Sequence, residues 1–165
     1  MRVLGIDPGT LNLGYGIVDE EGDGITMVDC GVLSLSSKVP VEQRLSSLYQ
    51  KLGEIVNRYR PDEVAIEEPF VAGNARSALA IGRAQAVAIL AAANRKLPVF
   101  RYLPTQVKQQ VTNYGHSGKE QVQEMVRIQL GLSQPPQSTD AADALAVAIC
   151  HLRQRYFDHL IDKSQ

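Results

Sequence analysis

The sequence has few cysteines and no long apolar run, and these two absences narrow the class of protein. Cys30 and Cys150 lie far apart, outside any C-x-x-C pair or Cys/His cluster, so neither a disulfide framework nor a zinc site is expected. No stretch approaches the roughly 18 apolar residues of a membrane span. The opening residues MRVLGIDPGT lack the apolar core of a signal peptide. We therefore expect a cytoplasmic protein, with no membrane partner, whose two free thiols pack in its interior.

Internal repeats and low-complexity linkers are also missing from the chain. Its 165 residues, 44% of them hydrophobic, suit a single domain with a buried core. We predict one domain over residues 1–157, followed by a polar tail over residues 158–165 that frays.

The net charge of −1 conceals an uneven distribution of charged residues. Residues 1–71 hold 12 acidic and 6 basic side chains, whereas residues 72–131 hold 2 acidic and 8 basic ones. A basic middle third can form one face of a surface that binds a polyanion. Ordinary solvated charges on helices explain the same pattern, so charge alone does not decide between the two.

Apolar periodicity predicts three strands linked by hairpins, followed by helices that alternate with two further strands. The predicted strands are 2–7, 13–18, 25–35, 63–67 and 98–103, and the predicted helices are 41–59, 74–94, 104–111, 119–130 and 139–155. This order is typical of an α/β fold with a five-stranded mixed sheet flanked by helices. The first three strands should be antiparallel, and the fourth and fifth should run parallel to the first.

Several carboxylates stand in unusually apolar surroundings. Asp7 ends the first strand, Glu67 and Glu68 end the fourth, and Asp140 and Asp143 lie three residues apart on the last helix. Each has an ordinary explanation: an Asp before a Pro-Gly turn, residues of a loop, or an Asp at a helix N-terminus. The carboxyl ends of neighbouring parallel strands lie together, however, where α/β sheets bind ligands. The order of elements therefore predicts that these acids meet.

Carboxylates that meet without basic partners repel one another unless they are protonated or neutralised. A hard divalent cation neutralises them, and Mg²⁺ prefers oxygen ligands. Two such ions about 4 Å apart can clamp a scissile phosphate. The spacing thus favours a metal-dependent phosphodiesterase.

Four sequence blocks carry a resemblance to a known family. They are GIDPGT at 5–10, IEEPF at 66–70, QVK at 106–108 and DAADALAVAI at 140–149. Together, in this order, they resemble the RuvC-type Holliday junction resolvases over residues 2 to 152. The resemblance implies a ribonuclease H-like fold, a homodimer, and Mg²⁺-dependent cleavage of four-way DNA junctions by paired nicks in strands of like polarity. It also implies work beside the RuvA–RuvB branch-migration complex, in recombination and repair.

The resemblance also assigns site residues. The family's catalytic, metal-binding acids correspond to Asp7, Glu67, Asp140 and Asp143, with two Mg²⁺ ions per site for which Mn²⁺ can substitute. The motif selects Glu67 over Glu68, between which alternation along the strand does not choose. The family's DNA-contacting positions correspond to Lys108, Lys119 and Phe70, and Arg76 could reach a backbone phosphate.

These assignments have plainer alternatives. Lys119 could be a solvated lysine at a helix start, and Phe70 could pack in the core as phenylalanine usually does. In the family, the Ala-rich helix at 74–94 forms the dimer interface, but small residues also suit a buried helix of a monomer.

Three other functions share parts of this pattern. An actin-like ATPase also opens with a strand, Asp-x-Gly and a hairpin, but it needs a second half for which 165 residues leave no room. A related nuclease acting on RNA, of the YqgF type, would keep the same fold and acids, so only its substrate distinguishes it. A non-catalytic junction binder would gain nothing from acids facing phosphates.

Overall fold

A computed structural model describes residues 1–22, 24–68 and 75–162 and contains one five-stranded sheet and five helices in that part of the chain. The strands are β1 Arg2–Asp7, β2 Asn12–Glu21, β3 Gly24–Ser34, β4 Glu63–Glu67 and β5 Val99–Tyr102. The helices are α1 Val41–Tyr59, α2 Ala75–Ala93, α3 Pro104–Thr112, α4 Lys119–Gln129 and α5 Thr139–Asp162. The order matches the predicted one, and the second strand is longer at both ends than predicted.

The strands lie in the order β3-β2-β1-β4-β5. β1 pairs antiparallel with β2, and β2 pairs antiparallel with β3, because short hairpins connect them. β4 runs parallel to β1, and β5 runs parallel to β4, because helices make those connections. The predicted mixed sheet is thereby confirmed, with the carboxyl ends of β1 and β4 side by side.

Two hydrophobic clusters cover the two faces of the sheet. Val3 and Ala65 point into the cluster formed with α3, α4 and α5. Leu4, Ile6 and Val64 point the other way, into the cluster formed with α1 and α2. Since side chains alternate along a strand, the odd-numbered residues of β1 and β4 face α5.

Glycines let α5 lie unusually close to β1 and β2. A Cβ atom on Gly5 would come within 2.1 Å of the Ala144 carbonyl oxygen, and one on Gly14 within 2.0 Å of the Asp140 carbonyl oxygen. One on Gly16 would reach Leu145 at 2.7 Å. No side chain fits in these positions, so the glycines of the second strand mark a close approach, as strand glycines often do.

The last helix is longer than predicted. We expected it to end at Arg155, with fraying from residue 158, whereas α5 continues to Asp162. A hydrogen bond from Gln154 Nε2 to Asp158 Oδ1, 2.9 Å long and one helical turn apart, supports the added turns. The first part of the predicted tail, as far as Asp162, is therefore a continuation of α5. The extent of the domain, residues 1–157, stays a prediction.

Both cysteines are free, as expected. Cys150 is buried in the core on the α5 side of the sheet, and Cys30 packs against the same cluster. Within the described ranges, none of the helices combines the length and apolar character needed to cross a membrane.

Candidate active site

Two carboxylates end neighbouring parallel strands. Ile6 of β1 pairs with Ile66 of β4, so Asp7 and Glu67 follow side by side at the same edge of the sheet. Both occupy odd-numbered positions and therefore face α5. Glu68 lies beyond the strand, where its Oε1 is 3.6 Å from Nη1 of Arg101. The structure thus places Glu67, and not Glu68, on the face of the sheet that carries Asp7.

The other two carboxylates come from the start of α5. Asp140 lies in its first turn and Asp143 three residues later, which puts both on one side of the helix. The contact of the Asp140 backbone with Gly14 holds this end of α5 over the edge where β1 ends. A helix N-terminus also favours nearby negative charge.

All four acids line one cavity of about 250 Å³, together with two lysines. Lys108 reaches it from α3 and Lys119 from the first residue of α4. The other lining residues are Pro104, Val107, Val122 and Ala146. The chain therefore brings together, from five different elements, six of the eight residues singled out from the sequence.

Of the other two residues, one lies outside the cavity and the other falls outside the described residues. Arg76 is exposed in the first turn of α2 and does not line the cavity. Phe70 lies outside the described residues.

Burial and mutual repulsion make ionisation of three of these acids, Asp7, Glu67 and Asp143, unfavourable. Burial raises the pKa of Asp7 to about 8, and the charges of Glu67 and Asp143 add to that increase. Burial likewise raises the pKa of Glu67 to about 7, with Asp143 adding and the two lysines opposing the rise. The pKa of Asp143 is also raised, again chiefly by burial. Such a cavity gains stability from any added positive charge.

The donor chemistry of the cavity fits a hard cation. It offers carboxylate oxygens and no cysteine or histidine, which suits Mg²⁺ or Mn²⁺ rather than Zn²⁺. Among the described residues, however, no three Asp, Glu, His or Cys side chains stand close enough together to hold a metal ion. The acids share the cavity without converging, as expected of like charges. Ligation would require their side chains to rotate toward a common point.

A second polar cluster, which sequence analysis did not single out, is buried beside this site. Glu63 of β4, Tyr102 of β5 and His151 of α5 are joined by hydrogen bonds in the core. The sequence did contain a signal for this cluster: Glu63 and His151 stand at positions that the apolar pattern assigns to the interior.

Comparisons with known proteins agree with the motif-based resemblance. The chain matches the family model of the crossover junction endodeoxyribonuclease RuvC over residues 3–151. A RuvC of Dehalococcoides mccartyi is 53% identical over 163 residues, covering 99% of this chain and 98% of the relative. The structure of Thermus thermophilus RuvC matches with a TM-score of 0.89 at 36% identity, covering 96% and 97% of the two chains.

A second solved structure, T. thermophilus RuvC in complex with a Holliday junction substrate, matches with a TM-score of 0.91 at 36% identity and covers 96% of each chain. The ribonuclease H-like fold is thereby confirmed. The sheet order, the four blocks and the near-complete coverage all lead to one assignment: this chain belongs to the RuvC family of crossover junction endodeoxyribonucleases.

Proposed function

We propose that this protein is a structure-selective endonuclease that resolves four-way DNA junctions by hydrolysing phosphodiester bonds, in recombination and repair. It makes paired nicks in two strands of like polarity. The observation that carries the proposal is that four carboxylates and two lysines line one cavity, at the carboxyl ends of β1 and β4. Family membership supports the substrate, since the curated relatives are named for crossover junction cleavage.

Asp7, Glu67, Asp140 and Asp143 are the catalytic residues and metal ligands in this proposal, with two Mg²⁺ ions per site or Mn²⁺ in their place. When bound, the ions supply positive charge for the phosphate and activate the attacking water. The carboxylates would hold the ions in position. Their burial supports this role because buried, crowded carboxylates bind a divalent cation with a gain in electrostatic free energy.

Lys108 and Lys119 hold the scissile strand. A lysine is a compact cation suited to a phosphate oxygen, and these two reach the cavity from separate helices. Phe70 stacks on an unpaired base near the junction centre, and Arg76 contacts backbone phosphate. A junction binder without catalytic activity would not retain an acidic cavity that repels its ligand.

A homodimer suits a substrate with two-fold symmetry. Leu79 and Leu90, 57% and 54% exposed on the outer side of α2, support this helix as the interface. We further propose that the dimer works in the cytoplasm beside the RuvA–RuvB branch-migration complex.

A nuclease assay on matched substrates tests the function. Labelled four-way junction, linear duplex and RNA–DNA hybrid are incubated with the protein in Mg²⁺, Mn²⁺ or EDTA. We expect symmetric cleavage of the junction alone, abolished by EDTA. Preferential cleavage of RNA would favour the YqgF-type alternative, and cleavage in EDTA would contradict the role of the four acids.

A further inference from the structure

A buried histidine joins two of the structural elements that carry the site, β4 and α5. Nε2 of His151 lies 2.6 Å from Oε2 of Glu63, and its Nδ1 lies 2.7 Å from the hydroxyl oxygen of Tyr102. The His151 side chain is fully buried, and its ring lies 4.6 Å from the Phe100 ring, centroid to centroid. Nη2 of Arg155 lies 3.2 Å from the second carboxylate oxygen of Glu63.

A neutral imidazole satisfies both contacts: its Nε2–H donates to the Glu63 carboxylate, and its Nδ1 accepts the hydrogen bond that the Tyr102 hydroxyl donates. Burial lowers the pKa of His151, which agrees with a neutral ring. Both ring nitrogens are therefore satisfied, one by β4 and the other by β5.

This cluster and the candidate active site lie on the same two elements at matching separations. Glu63, Ala65 and Glu67 share the α5 face of β4, which places Glu67 about 13 Å beyond Glu63. Asp143 precedes His151 by eight residues of α5, about 12 Å along the helix. A bond from His151 to Glu63 at one end therefore places Asp143 level with Glu67 at the other.

Packing also holds α5 against the sheet, through Gly5, Gly14 and Gly16 and through the hydrophobic cluster that includes Val3 and Ala65. Hydrogen bonds add to this packing a dependence on direction, because they weaken steeply when donor and acceptor are misaligned. In the described part of the chain, the side-chain polar contacts from α5 to the sheet converge on Glu63 and Tyr102.

We propose that His151 is a positioning residue: its two hydrogen bonds set the rotation and axial position of α5 on β4, and thereby the placement of Asp143 opposite Glu67. The proposal rests on the proposed nuclease function and deepens it. His151 does not touch the substrate. It acts through the helix that carries two of the four acids.

Two substitutions of His151 distinguish an effect on the alignment of α5 from an effect on the stability of the fold. His151→Leu fills the space and removes both hydrogen bonds, whereas His151→Gln keeps an N–H donor near the Glu63 carboxylate. Leu48→Ala, in the opposite core layer on α1, is the control for general destabilisation. Each protein is assayed well below its Tm, with the folded fraction checked by circular dichroism.

Three measurements are compared: single-turnover junction cleavage in Mg²⁺, junction Kd in EDTA, and Mn²⁺ affinity by calorimetry without DNA. For His151→Leu we expect cleavage at least about tenfold slower, since misplacement near 1 Å can cost about a hundredfold. Its Mn²⁺ affinity should fall severalfold, with an unchanged junction Kd. His151→Gln should recover most of both losses, and Leu48→Ala should cleave normally while folded.

Normal cleavage and Mn²⁺ affinity in folded His151→Leu would overturn the proposal, as would equal defects in the leucine and glutamine variants. If His151→Leu does not fold, Tyr102→Phe decides the matter, because it removes one hydroxyl and one of the two bonds. A severalfold loss of rate and Mn²⁺ affinity supports positioning, and wild-type values overturn it. A wild-type protein that leaves junctions intact would instead contradict the proposed function.

Discussion

The carboxylates of the cavity illustrate how single residues can carry a stability cost for the sake of a site. Asp7 and Glu67 are partly buried at the same edge of the sheet, and desolvation together with repulsion from neighbouring acids raises the pKa of each. An unfolded chain has no such penalty, so these residues destabilise the metal-free fold. They are worth retaining only where a cation neutralises them.

Replacing Asp7 by asparagine should separate stability from activity. In its folded state Asp7 titrates near pH 8, above its unfolded value of about 3.9, so it lowers stability as pH rises through that window. In EDTA we therefore expect Asp7→Asn to raise the Tm by about 3 °C or more above pH 8, with no gain below about pH 4. Differential scanning fluorimetry across this range provides the measurement.

The same Asp7→Asn variant should bind junctions normally and fail to cleave them in Mg²⁺. Gel-shift and cleavage assays on one labelled junction test both statements. Cleavage at the wild-type rate would remove Asp7 from the catalytic set, whatever its effect on Tm.

Lys119 should affect the rate of cleavage more than the fold. It begins α4 and is exposed apart from its side toward the cavity. We expect Lys119→Ala to slow single-turnover cleavage by about tenfold or more, because one phosphate-directed cation is lost. The Tm should stay within about 2 °C of wild type. Lys38→Ala, an exposed lysine away from the cavity, is the matched control and should cleave normally.

At the scale of whole elements, local patterns predicted most of what the structure contains. The apolar stripe of α1 and the apolar run of β4 gave their bounds without error, because each pattern reflects burial against one neighbour. The predicted end of α5 was wrong, since an exposed helix and a polar tail have similar amino-acid compositions. The link from His151 to Glu63 was missed because 88 residues separate the partners, and no local pattern pairs them.

The close approach of α5 to β2 can be tested by substituting the glycine that allows it. Gly14→Ala places a Cβ only 2.0 Å from the Asp140 carbonyl oxygen, so the first turn of α5 must move. We expect a loss of about 3 kcal/mol in the free energy of unfolding and cleavage reduced more than folding explains. Chemical denaturation and single-turnover assays measure the two effects.

Gly24→Ala serves as the control for this substitution. At Gly24 the new Cβ meets only the Glu21 carbonyl oxygen, at an ordinary 3.6 Å. Stability and cleavage should remain near wild type. Equal effects at the two positions would show that the Gly14 contact has no special part in placing Asp140.

At the scale of the whole molecule, the cavity and the exposed apolar side chains of α2 lie on opposite faces of the sheet. The α3–α4–α5 face holds the cavity and its lysines. The opposite face carries α1 and α2, and the outer side of α2 leaves Leu79 and Leu90 exposed. A dimer formed there would leave both cavities open to a four-armed substrate, which is the geometry that paired nicking requires.

Introducing charge on α2 tests that arrangement. Leu79→Glu puts a carboxylate on a side chain that is 57% exposed in the single chain, so the folded monomer should lose less than about 0.5 kcal/mol. Burying the same charge in an apolar interface is far more costly. We therefore expect sedimentation velocity to give a monomer with a wild-type circular dichroism spectrum.

The cleavage products of that monomer decide whether dimerisation serves the reaction. A single active site per junction should yield mostly singly nicked junctions, whereas the proposed wild-type dimer should make paired nicks before it dissociates. Ile128→Glu, 53% exposed on α4, is the matched control and should remain dimeric and make paired nicks. A dimeric Leu79→Glu protein would show that the interface lies elsewhere. A monomer that still makes paired nicks would show that junction resolution does not require a dimer.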